Sequence, residues 1–210
     1  MASIIMLLTS LLATDHSLAT TKVCRLVTDP VGDETNRLKA DGRDPSLDLV
    51  SADVATDRKH LTVVLRLRKL SPPLSGDVTG QAFWLFFSVH ETRFVVWAPV
   101  YPSGPADAHV SIAAGGADPG AVSVSAGTRI GSGTTTLDEV HNEVRMSTSL
   151  ATFQNYEPIT PGTRLYQLLA WSHVEVGVRD GLPGFTDDVD RAISTRAYRA
   201  GDPSCVRVGR

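Results

Sequence analysis

The chain predicts an all-β fold, a single antiparallel β-sandwich, and three observations carry that expectation. Apolar residues recur with a period of two, most plainly in LTVVLRLRKL, where Leu61, Val63, Leu65 and Leu67 alternate with Thr62, Val64, Arg66 and Arg68. The segments with this pattern are short and bounded by Gly, Pro, Asp or Asn. No amphipathic helix of normal length stands out.

Taken in order, the chain begins with an address. Ile4 to Ala13 (IIMLLTSLLA) is an apolar run too short to cross about 30 Å of hydrocarbon as a helix, and Ser17-Leu18-Ala19 sets small residues where a signal peptidase cuts. Residues 1–19 therefore read as a signal peptide and 20–210 as one secreted, extracellular domain with no membrane span in its mature form; an N-terminal helix is the alternative. Cys24 and Cys205 lie near the two ends of the mature chain. In an exported protein that pattern predicts a disulfide between them, against the alternative of two inert buried thiols.

DLVSADVA alternates Val50, Ala52 and Val54 with Leu49, Ser51 and Asp53, and the polar link Thr56–Lys59 joins it to LTVVLRLRKL as a hairpin. QAFWLFFSV and TRFVVWAPV, separated by His90-Glu91, are near-continuous apolar runs, so they read as central strands. Val50, Val54, Leu61, Val63, Leu65, Phe83 and Leu85 are the expected core. AHVSIAA, AVSVSAG, VHNEVRMSTS, RLYQLLAWSHVEV and ISTRAYRA follow as further strands, about nine in all, a number suited to a sandwich or barrel. Gly115, Gly116, Gly120, Gly127, Gly131 and Gly133 mark a flexible strand-and-loop at a sheet edge.

Twenty Lys+Arg against 23 Asp+Glu leave a formal charge of -3, which argues against a protein that grips nucleic acid or anionic lipid. No Gly-x-Ser-x-Gly elbow, His-Glu-x-x-His or Walker loop is present, and the expectation is a protein that is not an enzyme.

CRLVTDPVGDE, PSLDLVSADVATDRKHLTVVLRLRKL, HNEVRMSTSLATFQNYEPITPGTRLYQLLAWSHVEV and TDDVDRAISTRAYRAGDPSCV together span Cys24 to Val206. These stretches resemble secreted actinobacterial β-sandwich proteins similar to family 9 carbohydrate-binding modules, DOMON domains and the C-terminal module of glucodextranase. The resemblance implies a jelly-roll or immunoglobulin-like sandwich, in some relatives with structural calcium and a sugar face built on aromatics. From the DOMON side it also implies a haem alternative, with Met146 and either His141 or His173 as axial ligands.

Two acidic clusters fit the calcium expectation. Asp29 and Asp33 lie on a Pro/Gly turn, and Asp187, Asp188 and Asp190 fall within four residues near the other terminus. A Cys24–Cys205 staple would draw these ends together, and Ca²⁺ takes six to eight oxygens at about 2.3–2.6 Å from such loops. Asp44 and Asp48 are further candidates from the family pattern. The alternative is turn chemistry, since Asp caps turns with its own side chain.

A sugar site would use aromatic rings. Tyr101, Tyr156 and Phe185 are the loop candidates; Trp84, Trp97 and Trp171 lie on predicted strands, where core packing is the alternative role. The expected function is a non-catalytic, calcium-stabilised module binding a polysaccharide or cell-envelope glycan. The alternative is a structural or adhesive surface domain with a protein partner and no small ligand.

Overall fold

A computed structural model describes the backbone of residues 24–35, 43–71, 78–114, 125–179 and 182–203, with the side chains of 78, 125 and 175–188 outside the described set. Residues 1–19, which the sequence reads as a signal peptide, and Cys205 lie outside the described residues; none of the described cysteines is free.

The fold is all-β and antiparallel, with no α-helix among the described residues. Its strands are β1 (Val27–Thr28), β2 (Leu49–Thr56), β3 (His60–Leu67), β4 (Val78–Val89), β5 (Thr92–Tyr101), β6 (Gly104–Pro105) and β7 (Ala108–Ala114), followed by β8 (Ser125–Asp138), β9 (Glu143–Ser149), β10 (Arg164–Arg179), β11 (Leu182–Ile193) and β12 (Tyr198–Arg199). They pair in the order β1-β2-β3-β9-β8-β7-β5-β4-β10-β11, with β6 added to β5 and β12 to β10. The sheet folds back on itself, and its ends meet as an almost closed barrel. Thr35 N–H donates to the Val189 carbonyl at 2.8 Å, Leu49 N–H to Asp190 Oδ2 at 2.6 Å, and Ser194 Oγ to the Leu26 carbonyl.

Both expected hairpins form: β2 pairs with β3 and β4 with β5. The apolar runs of β4 and β5 have a simple origin. Phe83, Leu85 and Phe87 face the main core, while Ala82, Trp84 and Phe86 join Val95, Leu169 and Trp171 in a second apolar cluster. Strands buried on both faces lose the alternating pattern.

Two local expectations are corrected, and one strand forms in a segment for which the sequence carried no strand signal. Val50 is half-buried and stands outside the core, because the β2–β3 register shifts between Leu49 and Ser51; the bulge turns Leu49 inward instead, while Ala52 and Val54 keep their places. LPGFTDDVDRAI, rich in turn formers and acids, contains β11, a long strand paired to β10. The described part of the glycine-rich segment is β8, which lies between β7 and β9 and is not an edge; Gly115, Gly116 and Gly120 lie outside the described residues.

The strand glycines permit close approach. A Cβ at Gly133 would collide with the Ser147 carbonyl oxygen of the neighbouring β9. Gly133→Ala is therefore expected to destabilise the protein by about 1–3 kcal/mol through overpacking against backbone that cannot rotate away. Chemical denaturation checks this, and an unchanged midpoint would show that the β8–β9 contact can relax.

Candidate metal centre

Three chain segments converge where the barrel closes. The first is the turn that follows β1. At Gly32 the backbone has φ +87°, a conformation strained for any side chain, and this bend directs the Gly32 N–H to Asp48 Oδ2 at 2.9 Å. Arg43 Nη1 holds the Gly32 carbonyl at 2.8 Å.

The second segment leads into β2. Asp44 Oδ1 accepts from Ser46 Oγ at 2.6 Å and from its N–H at 3.2 Å, and Gln81 Nε2 donates to the same hydroxyl at 2.6 Å. Asp44 thereby shapes the turn that delivers Asp48, which is fully buried. The third segment is β11, where Asp190 Oδ1 accepts from Arg191 N–H at 2.7 Å while Oδ2 accepts from Leu49 N–H.

Asp29, Asp33 and Asp190 each present a carboxylate oxygen within 4.8 Å of the others. Oxygens bound to one Ca²⁺ at about 2.3–2.6 Å lie at most about 5 Å apart, so this spacing suits a hard cation. Asp48 and Glu34, both buried, stand beside them. No N–H or hydroxyl donor reaches Asp29 Oδ2, Asp48 Oδ1 or either oxygen of Glu34. Acceptors packed against acceptors in this way coexist only if protons or a cation lie between them. Arg68 Nη1, at 3.7 Å from Asp48 Oδ2, is itself about half exposed and offsets little of that charge.

The titration of the group reflects the same crowding. Burial, then the hydrogen bond and charge of Asp190, push the Asp29 carboxyl up to about 8. Burial and the Glu34 carboxylate raise Asp48 to about 6 against the opposing Gly32 N–H. Asp190 is also raised by burial, although the Leu49 N–H and its bond with Asp29 favour its ionised form.

Of the acids singled out in the sequence, the fold assembles Asp29, Asp33, Asp48 and Asp190. The backbone of Asp187 and Asp188 belongs to β11, and their side chains lie outside the described residues. Glu34 is the member that sequence reasoning missed, although its place next to Asp33 was the available signal.

The aromatic candidates do not share one surface. Trp84 stacks on Trp97 at 4.8 Å between ring centroids, and His173 sits 5.4 Å from Trp84 and 4.3 Å from Trp171. Trp84 and Trp171 are buried and Trp97 half-buried. Burial lowers His173 to about 4, so it is neutral at physiological pH. Tyr101 ends β5, whereas Tyr156 precedes Glu157, which bonds His90 and Thr92 at the other end of the same strand. At about 3.3 Å per residue the strand between Thr92 and Tyr101 spans roughly 30 Å. The Phe185 side chain lies outside the described residues. Met146 is in the main core, His141 on an exposed turn and His173 in the second cluster, so the haem pairing finds no geometry here.

The chain matches no protein-family model and no curated protein.

Proposed function

We propose that the chain is a secreted, non-catalytic carbohydrate-binding module whose barrel seam is held by Ca²⁺. The convergence of Asp29, Asp33, Asp48 and Asp190, with Glu34, at the place where β1, β2 and β11 meet is the observation that carries this reading. A divalent cation there replaces mutual repulsion by attraction and ties together residues far apart in the chain. A Cys24–Cys205 disulfide would reinforce the same region. The carbohydrate part rests on the resemblance to sugar-binding modules.

Melting curves in Ca²⁺ and in EDTA test the cation. At a hundredfold excess over Kd, linkage adds about 2.7 kcal/mol, or about 5–10 °C for a domain of this size. The pH dependence follows from the raised carboxyls. Without cation, the folded chain retains protons that the unfolded chain has released above about pH 4, so stability is lost as pH rises through about 6 for Asp48 and about 8 for Asp29. Between pH 7 and 8 the melting temperature in EDTA is expected to fall, and saturating Ca²⁺ to abolish the fall. A melting curve that EDTA leaves unmoved at pH 8 overturns the cation reading.

The dispersal of Tyr101 and Tyr156 to opposite ends of β5 favours, as a second reading, a structural or adhesive domain with a protein partner. Calorimetry against soluble polysaccharides separates the two.

A further inference from the structure

The geometry points to one place on the surface as a subsite for a neutral glycan: the depression between the β5–β6 hairpin and β8. This inference rests on the carbohydrate reading and gives it a location. After Tyr101 the chain turns tightly through Pro102 and Ser103 and pairs back, Val100 opposite Pro105 and Tyr101 opposite Gly104, with Ala106 N–H bonded to the Pro99 carbonyl at 3.0 Å. Across from this flap lies the end of β8. The hollow between them has a volume of about 520 Å³, a size typical of small-ligand sites, and Val100, Tyr101, Pro105, Thr135, Leu137 and Glu139 are among its walls.

Its chemistry is that of a sugar-stacking site. Val100 and Leu137 are apolar, and the half-buried Tyr101 ring and the Pro105 ring supply flat surfaces of the kind on which the C–H face of a pyranose packs. Thr135 pairs with Met146, a core residue, and therefore projects from the inner face of β8. Its Oγ1 is buried without a hydrogen-bond partner, so it is enclosed in the wall and closed to solvent. Glu139 is exposed at the rim and can accept from a ligand hydroxyl. The two prolines stiffen the flap, so little ordering is required on binding.

Charge sets the class of sugar. Glu139 is the one acidic or basic residue among the described lining residues, and Asp138 adjoins it. An anionic glycan meets repulsion at this rim, whereas a neutral one gains an acceptor. The hollow also stands apart from the other aromatic candidates: Trp84 and Trp171 are buried in the second cluster, and Tyr156 is at the far end of β5.

The test is calorimetry on the secreted chain in Ca²⁺, titrated with dextran, laminarin and xylan as neutral probes and polygalacturonate as the anionic one. The wild-type chain is expected to bind at least one neutral probe and to reject polygalacturonate. Tyr101→Ala should weaken the neutral interaction about tenfold and Glu139→Gln severalfold. Tyr156→Ala should leave it unchanged. If Tyr101→Ala fails to fold, the exposed Glu139→Gln variant decides. Unchanged binding in Glu139→Gln, or binding lost only in Tyr156→Ala, overturns the subsite while the carbohydrate reading stands. No binding of any neutral probe by the wild-type chain overturns that reading and the subsite with it.

Discussion

Arg66→Ala is expected to lower the unfolding free energy by about 3–5 kcal/mol, the cost of breaking a buried ion pair on one side only. Arg66 is the hinge of a charge ladder across β2, β3, β9 and β8. Its Nη1 meets Asp53 Oδ2 at 2.5 Å and its Nε meets Glu143 Oε1 at 2.8 Å. Asp53 is 0% exposed and also accepts from the Leu26 N–H at 2.8 Å, so its charge cannot retreat to water. Glu143 is shared with Arg145, which reaches on to Asp138 at 3.5 Å. Removing Arg66 leaves Asp53 with no counter-charge among the described residues and Glu143 with Arg145 alone of its two arginines. The exposed pair His60–Asp57 provides the contrast, since a pair of that kind contributes about 0–1 kcal/mol. Urea denaturation of Arg66→Ala and His60→Ala measures both. Equal losses in the two variants would sink the claim that burial makes the ladder costly to break.

Phe153→Ala is expected to cost a similar amount, about 3–5 kcal/mol. The side chain comes from the short 3₁₀ turn Leu150–Phe153, capped by Ser149 Oγ, which accepts from the Ala151 N–H at 3.2 Å. From there the ring inserts edge-on against Phe94, 5.2 Å away at 89°, and lies 6.0 Å from Phe87. It is fully buried, so truncation leaves a cavity under β4 and β5 and removes two aromatic contacts at once. Phe153→Leu should recover most of the loss. A small effect of the alanine variant, below about 1 kcal/mol, would mean that the turn can leave the barrel without disturbing it.

These two sites differ in how visible they are in the sequence. Arg66 occupies a polar position in the alternating pattern of LTVVLRLRKL, so its outward face is legible, but Asp53, Glu143 and Arg145 become its neighbours only through strand register. Phe153 carries no pattern at all. It stands in a turn, where an aromatic reads as a surface residue, and it is core because the turn folds over the end of the barrel.

The candidate metal centre divides in the same way. Two clusters of acids, one toward each end of the chain, were legible, and so was their expected use for a hard cation. Which of the acids belong was not. Glu34 enters because the chain folds back on Asp48, Asp44 is diverted to shaping its own turn, and Asp190 arrives because LPGFTDDVDRAI is a strand despite its turn-like composition.

By itself the sequence determined the fold class, the two hairpins β2–β3 and β4–β5, and most of the core, because side-chain alternation and turn residues act over a few neighbouring positions. Only the tertiary structure decided that the sheet closes on itself, that a bulge exchanges Val50 for Leu49 in the core, and that Asp29, Asp33 and Asp190 come together with Asp48 close by. Those outcomes depend on which strands pair and in what register, within the β2–β3 hairpin for the bulge and between residues as far apart as Leu49 and Asp190 for the closure, and on burial, which gathers like charges that would keep apart in water.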